Sequence, residues 1–147
     1  EYYQAIAKTF LVSCDNAHAL HPNHAEKTDA VNFVTMNGGI VIKESANQKY
    51  TTDAFSRALF TGVCQNVNVP VQSFANRSDV VGGSTLGNLS NTQVSVHAVD
   101  FGLAQLAMHS CFETAGVKDT EYAIVALKEF YETNVQIEEA ESVCLEK

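Results

Sequence analysis

Apolar and polar positions change period several times along the 147-residue chain, and each change marks an element. "EYYQAIAKTF" places Tyr3, Ile6 and Phe10 at i, i+3 and i+7, the spacing of one helix face. The apolar run in "TFLVSCD" predicts a buried strand ending at Asp15. A turn at "NGG", Asn37 to Gly39, leads into "GIVIKES", where Ile40 and Ile42 alternate as in a strand. "TTDAFSRALFTGVCQNV" is the clearest helix, capped by Thr52 or Asp53, with Phe55, Ala58, Leu59 and Val63 as its apolar stripe. Pro70 breaks the chain before "VQSFAN", a further strand, and "VVGGSTLGNLS" is a glycine-rich turn leading into a short helix or loop. "QVSVHAVDFG" reads as a strand, "LAQLAMHS" as a short helix, and a long helix starts at about Thr120 with Ile124, Leu127 and Tyr131 on one face.

Helices and buried strands thus alternate, which predicts a layered α/β sheet in a single domain. Ligands of open α/β sheets gather beyond the carboxyl ends of strands, and Asp15 sits at such an end. No apolar run approaches the roughly 20 residues that span a bilayer, and no signal peptide is expected. The net charge of −8, with Arg57 and Arg77 as the arginines, argues against nucleic acid and anionic membranes as partners. The acidic end, "EEAESVCLEK", reads as a solvated face or frayed terminus. Cys14, Cys64, Cys111 and Cys144 form no CxxC pair, and the first two lie in apolar patterns as buried thiols do, which predicts a reducing, cytoplasmic setting. The opening "EYYQ", with no methionine before Met36, reads as a piece of something longer.

Candidate chemistry concentrates in "SCDNAHALHPNH", which packs Asp15, His18, His21 and His24 into ten residues. Imidazole and carboxylate are good zinc ligands, at about 2.0–2.2 Å. Pro22 prevents a regular helix from aligning His18 with His21, so hydrogen bonding within a loop is the plainer role for His21 and His24. Asp15 differs, because a carboxylate closing an apolar strand needs a cation or several donors. Lys43 closes another apolar strand and emerges at a sheet edge. "GGSTLG" lacks the lysine of a phosphate loop, and is better read as a backbone that must approach a ligand closely. His109, among small and apolar residues, is by itself an ordinary core histidine.

Four stretches together resemble the aspartyl aminopeptidase family of zinc metallopeptidases, which includes the vacuolar aminopeptidase I type: "FLVSCDNAHALHPNHAEK", "NGGIVIKESANQKYTTDA", "NVPVQSFANRSDVVGGSTLG" and "VDFGLAQLAMHSCFETAG". They stand in the family's order and span most of Thr9 to Gly116. The resemblance implies a three-layer α/β sandwich, part of a zinc-exopeptidase-like (phosphorylase/hydrolase-like) catalytic domain. Residues 1–147 would be its C-terminal part, without the N-terminal part or the dimerisation domain.

The same resemblance makes Asp15 a ligand of one zinc in a two-metal site and His109 a ligand of the other, with cobalt or manganese as possible substitutes. His18, Lys43 and Tyr50 match substrate-contacting positions, and "GGST" would line the same pocket. His21 and His24 do not match metal ligands, and "EKTDA" departs from the family's commoner histidine and proline. The implied activity is removal of N-terminal, preferably acidic, residues from peptides by a homo-oligomeric enzyme. Lys43 would pair with the substrate's side-chain carboxylate. The upstream histidine, the bridging aspartate and the Glu-Glu pair that gives the general base are not in these residues, so the chain alone is expected to be inactive. Two other readings stand beside this one: a non-catalytic domain of the same fold acting in assembly or ligand binding, and a metal-binding loop built from His18, His21 and His24.

Overall fold

The computed structural model describes residues 1–139 and 142–146. In chain order the elements are α1 (Tyr2–Ala7), β1 (Phe10–Cys14), β2 (Ala17–His18), β3 (Ile40–Lys43), α2 (Ala54–Asn66), β4 (Val71–Phe74), α3 (Leu86–Gln93), β5 (His97–Gly102), β6 (Ala104–Leu106), β7 (Thr114–Ala115), α4 (Val117–Glu132), β8 (Asn134–Glu139) and β9 (Ser142–Glu146). The centre is a four-stranded sheet in the order β1-β5-β3-β4. β1 runs parallel to β5, with Ser13 opposite Asp100. β3 is antiparallel to β5 and parallel to β4, so the expected α/β sheet is mixed in direction.

The two faces of this sheet are covered differently. On one face α2 and α4 close a core of Ile40, Ile42, Phe60, Cys64, Val69, Val99, Phe101 and Ala126. Side chains alternate across a strand, so Val41 between the two isoleucines points the other way. There it joins Ala17, Ala19, Val34, Tyr50, Phe74 and Ala104, beneath a small sheet in the order β2-β6-β7. β3 is therefore buried along its whole length, including Lys43. α3 packs on β1 and β5, where a Cβ on Gly87 would come within 2.8 Å of the Ser13 hydroxyl; the missing side chain permits that approach.

α2 begins as predicted at Asp53, in a reciprocal capping box: Ser56 N donates to Asp53 Oδ1 at 2.7 Å and Asp53 N donates to Ser56 Oγ at 3.0 Å. Its buried face is Ser56, Leu59, Phe60, Val63 and Cys64, whereas Ala58 of the expected stripe is exposed. α4 starts at Val117, ahead of the expected Thr120. The buried Asp119 carboxylate accepts from Asn37 N at 2.6 Å and Gly39 N at 3.0 Å, tying the helix to the turn before β3. That tie directs Tyr122, Ala123, Ala126 and Phe130 inward; of the face expected from sequence, Leu127 packs against the same core, whereas Ile124 and Tyr131 are exposed.

Other expectations also change. "LAQLAMHS" is not a helix: Ala104–Leu106 pairs with both β2 and β7, and positive φ at Ala107 and His109 turns the chain immediately afterwards. α1 buries none of its residues, so its apolar spacing is not matched by a covering surface. Cys64 is buried but Cys14, the last residue of an edge strand, is exposed; all four cysteines are free. The acidic end is solvated but not frayed, since β8 and β9 pair as an antiparallel hairpin. Ala140, Glu141 and Lys147 of that stretch lie outside the described residues. No helix among the described residues is long and apolar enough to cross a membrane.

Candidate functional site

Asp15, His18, Lys43, Tyr50 and His109 all line one cavity of about 410 Å³, together with Asn16, Asn76, Gln105, Glu113 and the Gly82–Ser84 loop. The geometry follows from the strand ends. Asp15 leaves β1 with its N–H donating to Phe101 O at 2.8 Å. Its side chain is 53% exposed, whereas that of Lys43, at the end of β3, is 2% exposed. The Lys43 ammonium donates to Asp15 Oδ2 at 2.7 Å and to Asn16 O at 3.2 Å, and lies 4.8 Å from the centroid of the Tyr50 ring. A buried ammonium is tolerated only with such compensation. The sequence placed Lys43 at a sheet edge; the structure buries it with its charged end in the cavity wall.

Tyr50 is buried, and its hydroxyl accepts from Asn76 Nδ2 at 3.0 Å. Burial pushes its phenol pKa up, the Asn76 hydrogen bond opposes this, and the negative charges of Asp15 and Asp100 add to the rise. Gly82 sits where any Cβ would run into the Asn76 amide, so the glycine-rich loop does approach the site closely. His18 lies in β2, in register with Gln105 of β6. His109 occupies the turn after β6 with φ of 67°, its N–H donating to Glu113 Oε1 at 2.6 Å.

His21 and His24 are not part of this cavity. They line a smaller one of about 250 Å³, which His18 also borders. His21 Nδ1 accepts from Asn23 N at 3.1 Å, and His24 Nδ1 lies 3.1 Å from Glu26 Oε1, as a hydrogen-bonded loop would have it. Among the described residues no group of three or more His, Cys, Asp or Glu side chains is arranged to hold a metal ion, which does not favour the histidine-loop reading.

Sequence reasoning did not single out Asn16, Asn76 and Glu113. Asn16 Nδ2 donates to Gln105 Oε1 at 2.7 Å while its Oδ1 accepts from Leu103 N at 3.0 Å, so one amide joins the end of β1 to the start of β6. Its position directly after Asp15 was the available signal. Asn76 had none, because its role depends on a tyrosine 26 residues away. Glu113 lies between the helix expected to end at Ser110 and the one expected from about Thr120, in a stretch where the sequence predicts no element.

Comparison with known proteins places these residues in context. The family model described as aminopeptidase I zinc metalloprotease (M18) matches residues 1–131. A curated relative, the probable M18 family aminopeptidase 2 of Clostridium novyi (strain NT), is 46% identical over 131 residues, covering 89% of this chain and 30% of its own length. The chain thus spans under a third of the curated relatives it matches. Among solved structures, a chain of the Ape4 and Nbr1 complex superposes with a TM-score of 0.85 at 42% identity, covering 86% of this chain and 24% of that one. The mApe1 dodecamer of S. cerevisiae superposes with a TM-score of 0.79 at 26% identity, covering 90% and 28% respectively. With the family model matched over most of its length, the chain belongs to the M18 aminopeptidases, the aminopeptidase I family of zinc metalloproteases.

Proposed function

We propose that residues 1–147 are the C-terminal part of a three-layer catalytic domain, and that they supply part of the metal site and the acidic-residue pocket of a zinc aminopeptidase. The observation that carries the reading is the convergence on one cavity of Asp15 and His18, Lys43 and Tyr50, and His109, which come from three separate stretches of the chain. Asp15 and His109 offer an oxygen and a nitrogen donor, the types that zinc takes. Catalytic zinc sites use about three protein ligands and structural ones four. Two donors therefore fit as part of a site and not as a whole one, in keeping with the absence of a three-ligand cluster among the described residues.

When bound, zinc would polarise the scissile carbonyl and lower the pKa of a water. This chain's own groups bind and orient. The Lys43 ammonium, held in a wall without solvent, is the cation for an acidic side chain at the substrate's amino-terminal residue. Tyr50, fixed by Asn76, and His18 border the same space. Glu113 orients the turn that carries His109. The general base comes from outside these residues, the working form is a homo-oligomer like the related dodecamer, and the setting is cytoplasmic.

The test combines turnover with metal binding. The 147-residue chain, given zinc, cobalt or manganese, should not cleave an aspartyl or glutamyl chromogenic amide, and its weak cobalt binding should fall in Asp15→Ala and His109→Ala but not in His21→Ala. Turnover that disappears in His109→Ala would overturn the expected inactivity. Binding lost only in His21→Ala would overturn the assignment of Asp15.

A further inference from the structure

Lys43 donates to the very carboxylate assigned to the metal, and the two cations cannot share it on equal terms. The ammonium is 2.7 Å from Asp15 Oδ2, and its side chain is almost wholly excluded from solvent. A divalent ion bound to the same carboxylate would stand only a few ångströms from that ammonium, in a wall where water screens little. As long as Lys43 holds Asp15 Oδ2, each partly neutralises the other, and each attracts an exogenous charge less strongly than it would alone.

We propose that Lys43 and the metal compete for Asp15, so that metal loading turns Lys43 from an internal counterion into a receptor for the substrate's acidic side chain. The inference rests on the proposed metal role of Asp15 and goes beyond it by coupling the metal site to the acidic-residue pocket. Metal draws the negative charge of Asp15 to itself and leaves a buried cation with the carbonyl of Asn16 and the face of Tyr50 as its remaining neighbours. Such a cation gains most from a carboxylate entering the cavity. Coupling between two ligands is reciprocal, so an acidic ligand must in turn tighten metal binding by the same factor. An unloaded site, by contrast, holds its lysine closed against acidic peptides.

The experiment is a cobalt titration of the 147-residue chain, read by visible absorption and by calorimetry, with and without propionate as the carboxylate probe. Lys43→Met removes the charge at nearly constant volume, and circular dichroism reports whether the variant folds. The expected result is cobalt binding about tenfold tighter in Lys43→Met, the size expected for removing one nearby like charge. Propionate should tighten cobalt binding to the unaltered chain several-fold and leave Lys43→Met unchanged. Equal cobalt affinity in a folded Lys43→Met, or no response of the unaltered chain to propionate, overturns the coupling while leaving the metal assignment intact. If Lys43→Met does not fold, the propionate response of the unaltered chain against Lys43→Gln decides. Cobalt binding unaffected by both Asp15→Ala and His109→Ala overturns the coupling and the metal assignment together.

Discussion

Among the buried residues, ionisable groups divide into those with partners and those held neutral by burial. Cys64 belongs to the second kind: it is fully buried in the main core, and desolvation pushes its thiol up to about 12 from an ordinary 9.0. The folded pKa lies above the unfolded one. The stability that comes from keeping this thiol neutral is therefore complete below about pH 9 and is lost as pH rises towards 12, by at most roughly 1.4 kcal/mol per unit. The Tyr50 phenol, also raised by burial, adds a contribution of the same sign. Urea midpoints measured between pH 8 and pH 11 should fall, and the fall should be shallower in Cys64→Ala. Equal slopes in the two proteins would assign the alkaline loss to other groups. At neutral pH the same burial makes Cys64 inert to alkylation, while the exposed Cys111 and Cys144 react.

Between elements, two carboxylates fix helices by different means. Asp53 caps α2 from an exposed position, so Asp53→Ala should cost about 1 kcal/mol. Asp119 is wholly buried and satisfies two backbone donors of the turn before β3, so Asp119→Ala strands those donors and should cost more, about 3 kcal/mol. Chemical denaturation of both variants checks the order, and the reverse order would mean that the turn finds other partners. This contrast also explains what could be read in advance. The Asp53 cap was legible because its partner is three residues away. Asp119 was not, because its partners lie some 80 positions upstream and only the folded chain brings them together. β1 and β3 announced themselves through apolar positions, β4 through the proline before it and β5 through alternation, whereas β6, only three residues long, borrows its conformation from β2 and β7 and has no period of its own. The same division holds at the cavity. Asp15 stood out as a carboxylate closing an apolar strand, while His109 gained meaning only through resemblance, since its turn depends on two left-handed residues that no pattern signals.

For the whole molecule, the net charge of −8 opposes acidic ligands at long range, so the proposed recognition of them would rest on Lys43 at short range. Apolar side chains are also left uncovered: Tyr3 is 83% exposed, Val81 91% and Phe112 83%. β1 and β4 form the two edges of the central sheet, and β1 is the apolar "FLVSC". Open apolar edges pair with other chains, and a lysine on the edge is the usual deterrent. Light scattering after size-exclusion chromatography should therefore show concentration-dependent self-association, reduced in Leu11→Lys. A chain that stays monomeric at every concentration would show that these surfaces are insufficient by themselves.

The pairing of β1 with β5 also sets an order of events during synthesis. Phe10 has to find His97, and Cys14 has to find Phe101. The first strand therefore leaves the ribosome long before its partner exists. Until the stretch between Cys14 and His97 has been made, "FLVSC" is a sticky ribbon without a mate, the kind of segment that holding chaperones grip, and the speed with which that stretch is read governs how long it must be protected.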